Sequence, residues 1–493
     1  MKSHFIELFE KYLDQNSLDS LYRTLDRLEM QIQSDALDLS CTDILLAFGG
    51  GKDSVWTLSC IRFVQLKLKE KYNETFKIHI VCFVHPGMVS GVFTNINNVL
   101  KCLDVANSSD VKLHFGSLLQ TTFNDNDFNQ LPEQVINIFR RDVLLLGHFS
   151  NGQGRETFCY SCNLFVTMFL AQYVNGLKGE IDYVVSGDSI KEIMQYWGCL
   201  QKTLKKLKKP PLEKHERTWG DYFGKLCIVN EEYYNFISPN GSKGNTCFTN
   251  IAKTEFKKPK LFTIFKDTDY AFHKHQVFLE HLGFRLREDS FKFTESDCIN
   301  PMFMSHLRGL YCETHGKSYS EGLHQYIDMA KELMSKKDYS DQMIEKALAD
   351  YNSLEGIEKK RKEAEKYFFD TYHINNQQCI AMVFSPFLNK CEKLKEFIIK
   401  YHPAFVNDIE NIKCFIQKEV GCSDIELNES SKERIKRFLE VNIGLSLRDI
   451  AFLYKQRQFE FSRDNNIIEI MSIKDPHKKV EIDSNTVSYI SGR

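Results

Sequence analysis

The stretch from Asp43 to Ser54, DILLAFGGGKDS, constrains this chain more than any other segment. A short apolar run ends at Phe48, three glycines follow, and Lys52, Asp53 and Ser54 open a helical pattern that continues to about Lys69. Consecutive glycines weaken helices and strands alike, so they mark a tight strand-to-helix turn. Glycine also lets main-chain N–H groups come close to an anion, and a helix start adds partial positive charge. The amides of Gly50 to Ser54 therefore form a candidate phosphate cradle, with the Ser54 hydroxyl as a further donor and Lys52 as the counter-charge.

The surroundings repeat the strand–helix alternation. DILLAF (43–48), KIHIVCFV (77–84), DVKLHF (110–115) and IDYVVS (181–186) read as strands. Helical patterns lie between them: Asp53 to Lys69, NINNVLKCL, LPEQVINIFRRDVLLL and CNLFVTMFLAQYV. This order predicts an α/β fold, a Rossmann-like parallel sheet with helices on both faces and ligands bound along its carboxyl edge.

At 493 residues the chain exceeds a single core. Residues 1–40 read as an N-terminal helical segment and 41–197 as the nucleotide-binding domain. Residues 198–335 read as a loop-rich and helical extension of the catalytic unit, in which SPNGSKGNT (238–246) is a turn signal. Residues 336–493 read as a mainly helical C-terminal part with a few β-like pieces, NNIIEIMSI (465–473) among them.

A net charge of -2 and a pI near 6.7 provide no positive field for stable nucleic-acid binding. The basic run Lys202 to Lys209, followed by Pro210 and Pro211, reads as a solvated helix end. The N-terminus lacks the basic and apolar blocks of a signal peptide, and no apolar run reaches the length of a membrane span. A cytoplasmic protein is expected, and its 15 cysteines are expected to be reduced thiols. Cys159 and Cys162 alone have ligand-like spacing. Two thiolates at a helix start suit a soft metal, with Cys298 of TESDCINP as a third ligand, or else a sulfur-carrying redox pair.

GGGKDS differs from the Walker pattern and from the dinucleotide fingerprint. It resembles the SGGxDS signature of the PP-loop ATP pyrophosphatases, with Gly49 in place of the first Ser. The resemblance implies a PP-loop (HUP-type) fold in which the loop binds the β and γ phosphates of ATP. These leave as pyrophosphate while AMP passes to a substrate oxygen. It implies Gly49, Gly50, Gly51, Lys52, Asp53 and Ser54 as ATP contacts, and it sets His85 and Gly87 of VHPGM beside the adenine or ribose. Gly187, Asp188 and Ser189 of SGDS would then face the reacting phosphate. Lys52, Asp53 and Asp188 are the catalytic candidates. Asp53 or Asp188 would ligate Mg²⁺, and each equally fits a helix-capping role.

The order of PP-loop, Cys-x-x-Cys, Gly-Asp-Ser and ESDC is similar to that in N-acetyl sugar amidotransferases of bacterial surface-polysaccharide biosynthesis, over residues of about 40 to 335. That family implies adenylation of a small-molecule substrate, such as a nucleotide- or lipid-linked sugar. Ammonia from a separate glutaminase subunit then displaces AMP. The tRNA two-thiocytidine synthetases also join SGGKDS to cysteines holding an iron–sulfur cluster. A sulfur transferase acting on tRNA or a small molecule is thus the alternative, with zinc or an iron–sulfur cluster at the cysteines. A nucleotide-binding sensor without turnover is a third. His306, Arg308 and His315 read as lid residues, Arg308 clamping a carboxylate and His306 shuttling a proton.

Overall fold

The computed structural model describes residues 4–88, 90–118, 122–123, 131–176, 181–211, 218–238, 259–268, 272–285, 301–336, 341–422, 426–460, 463–475, 480–482 and 487–489. Short apolar runs form the sheet: β1 Asp43–Ala47, β2 Lys77–Phe83, β3 Val111–Gly116, β4 Thr122–Phe123, β5 Tyr183–Val185 and β6 Lys260–Leu261. Their order is β4-β3-β2-β1-β5-β6. β1 pairs in parallel with β2 and β5, β2 with β3, and β5 with β6, while β4 runs antiparallel at one edge. Apart from β4, the five parallel strands follow the Rossmann-like order 3-2-1-4-5, which reverses between β1 and β5. A short hairpin, β7 Val480–Ile482 with β8 Val487–Tyr489, is separate.

Among the described residues the helices as far as His281 are α1 His4–Tyr12, α2 Gln15–Ser34, α3 Lys52–Tyr72, α4 Ser90–Cys102, α5 Glu133–Ser150, α6 Tyr160–Gly176, α7 Ile190–Lys206, α8 Trp219–Ile237 and α9 Phe272–His281. One sheet face presents Ile44, Leu46, Ile78, Ile80, Cys82, Val111, Phe115, Tyr183 and Val185 to α1–α4 and α9 in a continuous core. The two-residue alternation of a pleated strand turns the intervening side chains to the other face. There Phe83 meets Phe169 and His114 meets Tyr173, both from α6, with ring centroids 5.3 and 4.6 Å apart. Helices thus cover both faces.

The chain divides into two compact units whose segments interleave. The first comprises Met1–Leu131 and Asn163–Arg287, and the second gathers Pro132–Cys162 with Cys298–Arg493. In the second unit, α10 Pro301–Thr314 and α11 Tyr319–Lys336 pack against each other, and α10 also packs on helix Asn376–Phe384, as α5 does.

Three local expectations change. The region read as loop-rich from 198 contains the end of α7 and all of α8, because Thr218 and Asp221 form a capping box and α8 buries Tyr222, Phe223, Leu226, Val229, Tyr233 and Ile237 at helical spacing. NNIIEIMSI is a helix over Ile467–Lys474, capped by the Asn466 side chain at the Glu469 N–H. β6 adds a fifth parallel strand too short for any pattern. Of SPNGSKGNT, only Ser238 lies within the described residues. No helix among the described residues is long and apolar enough to cross a membrane.

Candidate functional site

The glycine loop lies at the carboxyl end of β1, where the sheet order reverses. The Phe48 N–H still bonds to Val81 O at 2.9 Å, so strand pairing persists to the loop's first residue. Gly50 then turns the chain with φ +72° and is buried beneath Val92 and Ile96 of α4. Gly51 is the N-cap of α3 and brings no side chain to its first amides. Among the described residues the N–H groups of Gly49, Gly50, Gly51 and Ser54 donate to no carbonyl, as expected for a helix start without a cap. The Ser54 hydroxyl donates back to Gly51 O at 2.9 Å, and the Gly51 carbonyl accepts from the Val55 N–H at 2.9 Å. Lys52 Nζ stands 4.0 Å from Asp53 Oδ1, both side chains about one-third exposed. The loop is neither fully buried nor spent on internal pairing.

The SGDS turn after β5 comes to the same place. A methyl group placed on Gly187 would lie 2.9 Å from Ser54 N and 3.0 Å from the Asp53 carbonyl carbon, so the β5 loop is seated on the first turn of α3. Asp188 is half-buried there. Burial pushes its carboxyl up to about 6 against the opposing pull of the Ser186 hydroxyl, and the charges of Glu192 and Asp53 act in the same direction as burial. Ser189 caps α7: its Oγ accepts from the Glu192 N–H at 3.3 Å, and Glu192 Oε2 accepts from the Ser189 N–H at 2.8 Å. That reciprocal box engages Ser189 in helix initiation.

His85 and Gly87 follow β2, the neighbour of β1, and both are buried. The His85 carbonyl accepts from the Met88 N–H at 3.1 Å, which closes the turn. Cys159 ends the one-turn π-helix Arg155–Cys159 and Cys162 lies in α6, but their side chains, and all of Cys298, fall outside the described residues. Among the described residues no three His, Cys, Asp or Glu side chains gather to hold a metal. Mg²⁺ has a lesser requirement, since one or two carboxylates with phosphate oxygens usually suffice, and Asp53 and Asp188 fit that donor set.

Two of the three expected lid residues are not at a surface. His306 and Arg308 are 1% and 3% exposed on α10. His306 Nδ1 shares a hydrogen bond with the Tyr319 hydroxyl at 2.9 Å, and burial holds its imidazole down at about 3. Arg308 donates to Gln325 Oε1 from Nε at 3.0 Å and from Nη2 at 2.6 Å. Both join α10 to α11. His315 is exposed and donates to its own helix, Nδ1 to Tyr311 O at 2.8 Å.

Sequence reasoning missed Ser186, Glu192 and Tyr222, which face Asp188 from the residue after β5, from α7 and from α8. The Ser189-x-x-Glu192 spacing was a legible capping signal, whereas nothing local links Tyr222 to Asp188. No family model, curated protein or solved structure matches this chain.

Proposed function

We propose that the chain is a PP-loop-type ATP pyrophosphatase: Gly49–Ser54 holds the β and γ phosphates of ATP while the adenylyl group passes to a substrate oxygen. The observation that carries this reading is the meeting of uncommitted main-chain amides, Lys52, Asp53 and the Gly187–Asp188 turn where the strand order reverses, the position at which open α/β sheets bind ligands. The amides of Gly50, Gly51 and Ser54 stabilise the charge that grows on the departing pyrophosphate, and Lys52 neutralises one of its oxygens. Mg²⁺, held through Asp53 or Asp188, would supply the remaining charge compensation. Ammonia then displaces AMP, as in the sugar amidotransferases that the motif order resembles.

The test is incubation with Mg²⁺ and ATP labelled at the α phosphorus, a panel of sugar nucleotides, and either ammonia or sulfide. Labelled AMP and free pyrophosphate are expected, dependent on Lys52 and faster with ammonia. Release of ADP and orthophosphate refutes the pyrophosphatase reading, and preference for sulfide moves the chain to the thiolating alternative. ATP binding with no turnover under any of these conditions leaves the sensor.

A further inference from the structure

The basic run that closes α7 has no part in the site above, and its surroundings differ from those of the other lysine-rich helix. Helix Leu354–Tyr372 carries five cations, and each is paired: Lys359 with Asp350 at 3.4 Å, Lys360 with Glu363 at 2.9 Å, Arg361 with Glu313 at 3.1 Å, Lys362 with Glu358 at 3.8 Å and Lys366 with Asp370 at 2.5 Å. α7 is the reverse. Lys191, Lys202 and Lys205 within it and Lys208 just beyond it are exposed, and none of the four forms an ion pair among the described residues. Lys209, by contrast, is tied to Glu232 at 2.6 Å. The one acidic residue of α7, Glu192, is engaged by the Ser189 N–H and hydroxyl, both at 2.8 Å.

These charges share one face. Steps of three or four residues keep side chains on the same side of a helix, and Lys191, Met194, Gly198, Lys202 and Lys205 follow that spacing. The opposite side buries Ile193, Trp197, Leu200 and Leu204. At the helical rise per residue the row from Lys191 to Lys205 is about 21 Å long. Met194 is 45% exposed within the row, and Ile190 beside its amino end is 37% exposed. A methyl group on Gly198 would meet nothing within 4 Å, so the middle of the row is open backbone.

Fixed positive charge without internal partners is complemented by an extended negative surface, either a nucleic acid or an anionic lipid bilayer. Surfaces that bind single-stranded RNA stack its bases on exposed aromatic or arginine side chains, and this row has neither. Instead it sets Met194 and Ile190 among lysines. That is the composition of a helix face at the headgroup boundary, where lysines meet lipid phosphates and apolar side chains enter the acyl edge. We propose that the Lys191–Lys205 face of α7 docks on an anionic lipid bilayer. α7 starts immediately after the Gly187–Ser189 turn, which is seated on α3, so the docked face adjoins the glycine loop. The docking does not rest on the nucleotide reading, which the ATP assay tests separately.

The experiment is co-sedimentation of the full chain with vesicles of phosphatidylcholine alone, and of phosphatidylcholine with phosphatidylglycerol at about 2:1. Binding to the anionic vesicles alone is expected, falling about tenfold or more as NaCl rises from about 0.05 to 0.5 M. Lys202→Glu with Lys205→Glu is expected to weaken it about tenfold or more. Lys362→Glu with Lys366→Glu makes the same change of net charge on the paired helix and is expected to leave binding within about twofold. Equal losses in the two double variants overturn the docking, as does equal binding to both kinds of vesicle. Binding to a single-stranded RNA of about 30 nucleotides without binding to anionic vesicles assigns the face to nucleic acid and overturns it too. Should circular dichroism show Lys202→Glu with Lys205→Glu unfolded, Lys202→Gln with Lys205→Gln replaces it. A loss of about fivefold or more is then expected, and wild-type binding overturns the docking.

Discussion

Gly50 and Gly187 serve the same edge of the sheet in different ways. At φ +72°, Gly50 occupies a conformation that costs an L residue about 1–2 kcal/mol, and a methyl group there would lie 2.6 Å from Ile96 Cγ1. Gly187 is constrained by proximity alone, since its added methyl would press on main-chain atoms of α3, which cannot rotate away. Gly187→Ala is therefore expected to cost about 1–3 kcal/mol through overpacking and to shift the Ser54 N–H. ATP affinity should fall about tenfold or more while the circular dichroism spectrum stays native, as equilibrium binding and urea denaturation would reveal. Wild-type affinity in Gly187→Ala would detach the β5 turn from the site. The triple glycine was legible in the sequence because a turn depends on adjacent residues. The contact of Gly187 with Ser54 was not, because it depends on β5 lying next to β1.

α3 explains why a helix at a functional edge is hard to read by periodicity. Every residue from Val55 to Gln65 is buried, so the helix lacks a polar stripe over three turns. Gln65 is paired inside the unit: its Nε2 donates to Phe76 O at 2.7 Å and to Asp110 O at 3.0 Å, and Gln65 O accepts from the Thr75 hydroxyl at 2.9 Å. The N-terminal helices, read as a separate segment over 1–40, pack into the same core. Arg27 of α2 fastens them. Its Nε donates to Asp267 Oδ2 at 2.7 Å, its Nη2 donates to Thr263 O at 2.6 Å, and its guanidinium lies 4.2 Å from the Phe262 ring centroid. Arg27→Ala leaves Asp267 and a carbonyl without that donor, so a loss of about 2–3 kcal/mol is expected, measured as a lower urea midpoint. An unchanged midpoint would show that the clasp contributes nothing net. α8 escaped detection because aromatic and glycine residues dilute its helical signal, and burial on one face overrides weak propensity.

Across the whole molecule, buried histidines set the response to acid. Burial holds His148 and His306 down at about 3 and His114 at about 4, against an ordinary value of 6.5. In the unfolded chain each takes a proton as pH falls through 6.5, whereas the folded chain refuses it until about 3 or 4. The stability they contribute is complete above pH 6.5 and is lost progressively as pH falls from there toward 3. Asp188 acts in the opposite sense: folded near 6 and unfolded near 3.8, it stabilises the fold relative to neutral pH as pH falls through that interval. Three histidines outweigh one carboxyl, so the urea midpoint is expected to fall steadily between pH 6.5 and 4. Replacing His148 with Gln should flatten part of that slope, and an unchanged slope would rule out His148 as a source. The sequence by itself determined the glycine turn, the alternation of strands with helices and the capping box at Ser189, because each arises from forces between residues a few positions apart. Strand order, the seating of Gly187 on α3, the proton affinity of Asp188 and the burial of His306 and Arg308 were decided only by the tertiary structure. Those properties depend on which distant segments share a desolvated space, and no local pattern encodes that.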